Sequence, residues 1–254
     1  MKMTNCFDLS IIIPAYNEAD RIGHSLEQIC LYLDRQPWSV QVIVVNDGSS
    51  DDTIQVVEQS RHLLMTEQRR LELVSNSVNR GKGYCVKTGA MRAEGGIIVL
   101  TDADLSAPID QLADLVIPIH QGQYDVVIGS RAIDRRLIQQ RQPFWREYAG
   151  RLFNILMRLI TGLPFKDTQC GFKAFRGDLI RPIFQRQRLD GFAFDVEVLY
   201  LAWKAGLRIK EIPVVWNHVE GSRVHIFRDS FKMLMDLVKV KIHDWHGDYH
   251  SPTT

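Results

Sequence analysis

The sequence predicts an α/β fold built on a mostly parallel sheet flanked by helices, and three features carry that expectation. Runs rich in Ile and Val recur at Leu9–Pro14, Val40–Asn46, Leu71–Ser75, Gly96–Asp102 and Asp125–Ser130, with amphipathic segments of helical length between them. Their starts lie about 25–30 residues apart, the length of a strand plus a crossover helix. The runs are almost continuously apolar instead of alternating, as strands covered on both faces must be. A chain of 254 residues is long enough for one large domain, and no Gly/Ser linker divides it. We take residues 1–250 as a single domain with an early half at 7–131 and a later half at 132–245.

Taken in order, the early strands end in Pro14-Ala15-Tyr16-Asn17-Glu18, Asn46-Asp47-Gly48-Ser49-Ser50-Asp51, Asn79-Arg80-Gly81-Lys82-Gly83, Asp102-Ala103-Asp104 and Gly129-Ser130-Arg131. In an open parallel sheet, ligands bind beyond the carboxyl ends of the strands, so these five loops are where chemistry is expected. After Arg131 the alternation stops. An arginine-rich loop (Ala132–Gln142) leads to an amphipathic helix over about 144–161, a short strand at Gly171–Phe175 and a helix at Phe194–Ala205. A strand at Arg208–Trp216 and a last amphipathic helix over about 226–245 follow.

Composition narrows the function classes. Lysine plus arginine number 31 and aspartate plus glutamate 30, and a net charge of +1 excludes a protein that coats nucleic acid by bulk charge. With 45% hydrophobic and 24% charged residues, disorder is excluded as the main theme. Four scattered cysteines without a CxxC pair fit a reducing compartment and give no zinc spacing. No charge-free run reaches the roughly 18 residues of a membrane span, and the first residues lack the features of a signal peptide. The expectation is a cytoplasmic protein whose membrane contact, if any, is peripheral on the cytoplasmic face.

Asp102-Ala103-Asp104 is the most informative loop. Two hard oxygen donors at the rim of a sheet can hold Mg²⁺ or Mn²⁺ and leave the other metal positions to diphosphate oxygens. The plain alternative is that Asp104 caps a helix beginning near Pro108, or that both acids are solvated. In Asp47–Asp51 the glycine makes the turn and Ser50 or Asp51 caps the next helix. That leaves Asn46 and Asp47 pointing from the strand end into the crevice, where a carboxylate can accept from a base N–H or a ribose hydroxyl. Asn79–Gly83 matches neither GxxxxGK[ST] nor GxGxxG, yet a glycine-opened helix N-terminus bearing Arg80 and Lys82 still attracts phosphate.

In this order the loops make a family pattern, and the later half extends it with Asp167–Lys173, Phe194–Glu197, Glu211–Val214 and Glu220–Arg223. From about Leu9 to Trp245 the chain resembles the family 2 glycosyltransferases of GT-A (Rossmann-like) fold. Within that family it is most similar to the branch that loads a sugar onto polyprenyl or dolichyl phosphate, the β-glucosyl enzymes above all. The resemblance implies a nucleotide-sugar donor (UDP-glucose favoured), Mg²⁺ or Mn²⁺, and a polyprenyl or dolichyl phosphate acceptor. By the same resemblance, Pro14, Tyr16, Glu18 and Asp47 line the base and ribose pocket, and Asp102 and Asp104 form the metal-diphosphate site. Lys82 adds a cation for the donor phosphates, while Arg131, Lys173 and Arg223 meet donor or acceptor phosphates. Two departures matter: Asn46 stands where many members carry a second aspartate, and Ser106 stands where the mannosyl branch usually has glutamine, which weakens a GDP-mannose assignment.

If a polyprenyl phosphate oxygen attacks sugar C1 opposite the leaving UDP, the configuration inverts and no covalent intermediate forms. A phosphate monoester, with its second pKa of about 6, is already largely anionic at pH 7, so no strong base is required. The harder demand is electrostatic, because an anion must approach a diphosphate. The segment Arg131–Arg151 answers it with arginines 131, 135, 136, 141, 146 and 151 against Asp134 and Glu147. Asp195 and Glu197 fit a base for a hydroxyl acceptor, orienters of cations, or helix N-terminal acids, and the expectation is that they orient acceptor-side cations. Two apolar stripes, Tyr148-Leu152-Ile155-Leu156-Leu159-Leu163 and Phe227-Phe231-Leu234-Val238-Ile242-Trp245, face either the core or an anionic membrane surface. His243, His246 and His250 are not expected to hold metal, since Gly247 interrupts their helix. Competing readings are a GDP-mannose donor, a carbohydrate or protein hydroxyl acceptor that would need a carboxylate base, and a non-catalytic nucleotide-sugar-binding module. The oligomeric state has no signature in the sequence.

Overall fold

The computed structural model describes residues 6–138, 154–217 and 226–249, with the side chains of 226–231 set aside. One sheet of seven strands holds these segments together: β1 (Phe7–Ala15), β2 (Val40–Asn46), β3 (Arg69–Ser75), β4 (Gly95–Leu100), β5 (Val126–Ser130), β6 (Lys173–Arg176) and β7 (Ile209–Pro213). Their order is β3-β2-β1-β4-β6-β5-β7. All neighbours run parallel except β6, which is antiparallel to both β4 and β5. The described helices are α1 (Ala19–Leu33), α2 (Thr53–Gln59), α3 (Arg61–Leu64), α4 (Lys82–Arg92), α5 (Leu112–His120), α6 (154–161), α7 (Gly177–Arg186), α8 (Phe194–Lys204) and α9 (Ile226–Trp245).

The two-residue period of a strand splits the apolar runs between two cores. Ile12, Ile43, Val45, Ile98 and Ile128 face Val86 and Ala90 of α4, Phe184 of α7 and Leu199 of α8. Ile11, Ile13, Val42, Val44 and Val99 face Ile22, Leu26 and Ile29 of α1 and Leu115 of α5. Every residue of β2 is buried, which is why its sequence shows no polar alternation.

The early strands lie where the sequence places them, and the later half differs in three respects. Its first strand begins at Lys173, two residues after the expected start, and its second ends at Pro213, three residues before the expected end, with Val214 N making the last bond to Ser130 O. Helix α7 has no counterpart in the sequence expectation, because Gly177 at its start and Pro182 inside it mask the period. Tertiary burial of Ile180, Ile183 and Phe184 makes it helical all the same. Of the helix expected over 144–161, residues 144–153 lie outside the described residues, and 154–161 are helical.

Because β6 runs antiparallel, its first residue rather than its last reaches the carboxyl ends of its neighbours. Lys173 pairs in register with Leu100 of β4 and Ile128 of β5. Helix α4 delivers Lys82 to the same rim, and it lies close on the sheet because position 89 is glycine. A Cβ at Gly89 would stand 2.5 Å from Ile12 Cγ2. Gly89→Ala should therefore destabilise the protein by about 1–3 kcal/mol through overpacking, read as a lower urea midpoint. An unchanged midpoint would mean that α4 has room to retreat.

Candidate active site

The ends of β1, β2 and β4 open into a cleft of about 770 Å³. Pro14, Tyr16, Glu18, Arg21 and Asp47 line one side, and Arg80, Gly81, Lys82, Asp102 and Asp104 line its centre. Asp190, Gly191 and Phe192 form another wall, and α9 contributes Lys232, Met233 and Asp236. Seven residues singled out from the sequence, Pro14, Tyr16, Glu18, Asp47, Lys82, Asp102 and Asp104, are thus brought together around one space.

Short polar bonds bolt the loops after β1 and β2 to each other. Asn17 adopts φ 53°, a conformation asparagine tolerates, and its side-chain oxygen accepts from Ser50 N at 2.7 Å while its own N–H donates to Ser49 Oγ at 2.8 Å. Glu18 N donates to Thr53 Oγ1 at 2.8 Å. Asp51 accepts from Thr53 N and from Ala19 N, each at 3.1 Å, so it serves the start of α2 and of α1 together. Glu18 is held by a forked pair with Arg21 at 2.7 and 2.8 Å.

Asp47 does more than point into the crevice. Its Oδ1 accepts from Asn76 Nδ2 at 3.0 Å and Arg80 N at 2.8 Å, and its Oδ2 accepts from Gly81 N at 2.7 Å. The carboxylate therefore shapes the loop that presents Lys82. Gly81 (φ 109°) and Gly83 let this loop lie against the backbone of Leu189–Gly191, where a Cβ would collide.

Asp102 and Asp104 sit on a tight turn. Leu105 N donates to Asp102 O at 3.1 Å, Ser106 N to Asp104 Oδ1 at 3.0 Å, and the Ser25 hydroxyl of α1 to Ala103 O at 2.6 Å. Asp104 thus closes its own turn and does not cap the helix near Pro108. Lys82 Nζ lies 2.6 Å from Asp102 Oδ1. Burial works against the Lys82 charge, but Asp102, Asp195 and Asp104 outweigh it and hold the ammonium above its usual range. Burial likewise opposes ionisation of Asp102, and Lys82, Lys173 and Arg131 outweigh it and keep the carboxyl below the usual range. Two half-accessible carboxylates on one turn, facing a cleft, suit a hard divalent cation that takes its remaining ligands from phosphate oxygens. Asp102 and Asp104 are the residues that would hold it.

A second tier of ion pairs supports the first. Lys173, only 1% exposed, donates to Asp195 Oδ1 at 2.6 Å and to the Cys170 carbonyl. Burial raises the Asp195 carboxyl even so, against the pull of Lys173 and Lys82. Arg131 grips Asp167 through its backbone N–H at 3.0 Å and through a guanidinium fork at 2.7 and 2.9 Å. Gly171 lies so near Asp102 that a Cβ there would overlap the carboxylate.

Arg131, Lys173, Asp195 and Glu197 do not line the described cleft. Lys173 spends its ammonium on Asp195 and a carbonyl, so it acts behind Asp102 and not on a phosphate. Asp195 is paired with Lys173, which stands behind the cleft and not on its acceptor side, and Glu197 meets backbone amides and a tyrosine instead of a cation. Glu197 is fully buried and accepts from Arg188 N at 3.0 Å, Leu189 N at 2.9 Å and the Tyr249 hydroxyl at 2.6 Å. Burial pushes its pKa up. It ties Tyr249 to the loop that backs Gly81 and Gly83. Arg223, and Arg141, Arg146 and Arg151 of the arginine segment, lie outside the described residues. The sequence reading missed Asp190, Phe192 and Lys232, for which no motif or spacing gives a signal, and Arg21, whose three-residue step from Glu18 is one.

The glycosyl transferase family 2 model matches residues 10–184. The chain belongs to that family and is a glycosyltransferase of GT-A fold. It is 32% identical to dolichyl-phosphate beta-glucosyltransferase of Dictyostelium discoideum, over 92% of this chain and 73% of that protein. It is 33% identical to the protein of that name from Drosophila melanogaster, covering 92% and 74%. Among solved structures, mannosyl-3-phosphoglycerate synthase of Rubrobacter xylanophilus superposes with TM-score 0.69 at 18% identity, over 98% of this chain and 77% of that one. Glucosyl-3-phosphoglycerate synthase of Mycobacterium tuberculosis, solved with Mn²⁺, UDP and glucosyl-3-phosphoglycerate, superposes with TM-score 0.66 at 19% identity, over 98% and 82%.

Gly171→Ala should lower turnover at least tenfold by displacing Asp102, with a loss of fold stability of only about 1–3 kcal/mol. Parallel kinetics and urea titration check it, and wild-type turnover would show that the carboxylate tolerates the shift. A second expectation concerns acid. Burial opposes the Asp167 charge, but Arg131 outweighs it and holds the carboxyl below the usual range. With the folded pKa below the unfolded value of about 3.9, the stability this pair contributes is complete above that value and lost as pH falls through the folded pKa. The urea midpoint should therefore fall more steeply on acidification in the wild type than in Asp167→Asn, and equal slopes would refute this.

Proposed function

We propose that this chain moves glucose from UDP-glucose to a dolichyl or polyprenyl phosphate with inversion at C1, as a peripheral protein on the cytoplasmic face of a membrane. The observation that carries the reading is the seating of Asp102 and Asp104, with Lys82 on Asp102, in the same cleft as Pro14, Tyr16, Glu18 and Asp47. Tyr16 and Pro14 offer apolar surface to a base, and Glu18, fixed by Arg21, offers oxygens to ribose hydroxyls. Asp47 holds the phosphate-side loop and keeps a lone pair for the nucleoside. Mg²⁺ or Mn²⁺ bound at Asp102 and Asp104 supplies charge neutralisation to the departing diphosphate. Lys82 adds a second positive charge beside the same oxygens.

Two observations favour a phosphate acceptor over a hydroxyl one. Asp195, the acid that would serve as base, is committed to a buried pair with Lys173 outside the cleft lining. A phosphate monoester needs no such base at neutral pH. The relatives' names support glucose and dolichyl phosphate.

The test is incubation with Mn²⁺ or Mg²⁺, undecaprenyl phosphate and a panel of UDP- and GDP-sugars, with UDP release, product mass and anomeric configuration as readouts. UDP-glucose should give a β-linked lipid glucose, EDTA should abolish it, and Asp102→Asn or Asp104→Asn should cost at least a hundredfold. No lipid-linked sugar from any donor would sink the reading.

A further inference from the structure

Helix α9 presents two apolar faces. Met233, Leu237 and Val240 sink into the core beside the buried Asp236. Met235, Val238, Ile242 and Trp245, spaced by three and four residues, lie on the opposite side and are 49%, 40%, 46% and 85% exposed. A helix that only had to cover a core would carry one such face and polar residues elsewhere. The outward stripe is flanked by the exposed Lys239 and Lys241.

At the cleft end of this helix stands Lys232. The other cations lining the cleft are engaged: Arg21 with Glu18, Lys82 with Asp102, and Arg80 over the Tyr84 ring at 3.8 Å. Among the described residues, Lys232 has neither a carboxylate nor a ring as partner. The same helix rises 1.5 Å per residue, so Trp245 lies about 20 Å from Lys232 along its axis. A charged head position in the cleft and an apolar stripe leading away from it therefore share one rigid element.

We propose that α9 is the acceptor subsite: Lys232 receives the phosphate of the lipid, and Met235, Val238, Ile242 and Trp245 carry the first part of its prenyl chain. The inference rests on the acceptor class proposed above. A hydrophilic acceptor would use the cleft alone, whereas an amphiphile with an anionic head needs this continuity of a cation with exposed apolar surface.

The test compares undecaprenyl phosphate with the short geranyl phosphate as acceptors. Lys232→Ala should raise the acceptor KM about tenfold or more for both, the loss expected for a charge-assisted contact, without raising the KM for UDP-glucose. Lys232→Arg should restore most of it. The double variant Val238→Asn with Ile242→Asn, at exposed positions that leave the core untouched, should shrink the KM advantage of the long chain about tenfold or more. An unchanged acceptor KM in Lys232→Ala, a raised donor KM instead, or an intact chain-length preference in the double variant overturns the inference. If the wild type transfers to neither lipid, the acceptor reading falls and takes this inference with it, so wild-type turnover tells the two failures apart.

Discussion

A buried ammonium costs several kcal/mol unless a carboxylate answers it, and at the rim where β4 ends and β6 begins two ammonium groups meet two carboxylates. Lys173 is paired with Asp195, and Lys82 with Asp102. Each pair lies within electrostatic reach of the other, since both lysines act on both acids. Asp102 is thereby held ionised and aimed at the cleft without water to solvate it fully. Removing Lys173 or Asp195 would leave a buried charge alone, which is more costly than the pair is beneficial. The close approach of Gly171 to Asp102 and the grip of Asp47 on the loop of Lys82 serve this same cluster.

The antiparallel strand explains why the cluster exists. A strand that ran with its neighbours would bring its last residue to this rim. By running against them, β6 brings its first residue, Lys173, between Leu100 and Ile128. The turn that precedes it supplies Asp167 to Arg131 and Gly171 to Asp102. So the later half of the chain is built into the sheet and forms the back of the site, while α9 forms part of its front. Its buried face docks on the core, and its edge at Lys232, Met233 and Asp236 borders the cleft.

Much of this was legible without coordinates. The five early runs each became a strand, because a parallel strand buried on both faces writes its burial directly into composition. Residues from the loops after the first four line the cleft, as the rule for open sheets leads one to expect, while Arg131 after the fifth stands behind it. What stayed hidden is contact between segments distant in sequence. Helix α7 was obscured by Gly177 and Pro182 and exists because Ile180, Ile183 and Phe184 find a core. Asp195 and Glu197, two residues apart, read alike, yet one meets Lys173 and the other meets two backbone amides and Tyr249. The outward stripe of α9 was visible as a pattern, but periodicity does not say which face a helix buries.

The sequence by itself determined the class of fold, the family and the set of polar residues at the strand ends, since these follow from local composition and from short ordered motifs. Only the tertiary structure decided which of those residues face the cleft and which stand behind it. Lys82 and Lys173 carry the same charge and each lies near a strand end, yet one borders the cleft and the other is enclosed. The difference is one of position in the sheet: Lys82 starts a helix on the rim, and Lys173 starts a central strand with neighbours on both sides. Burial of that kind depends on the neighbours that long-range packing supplies, and no property of the residue or its spacing records it.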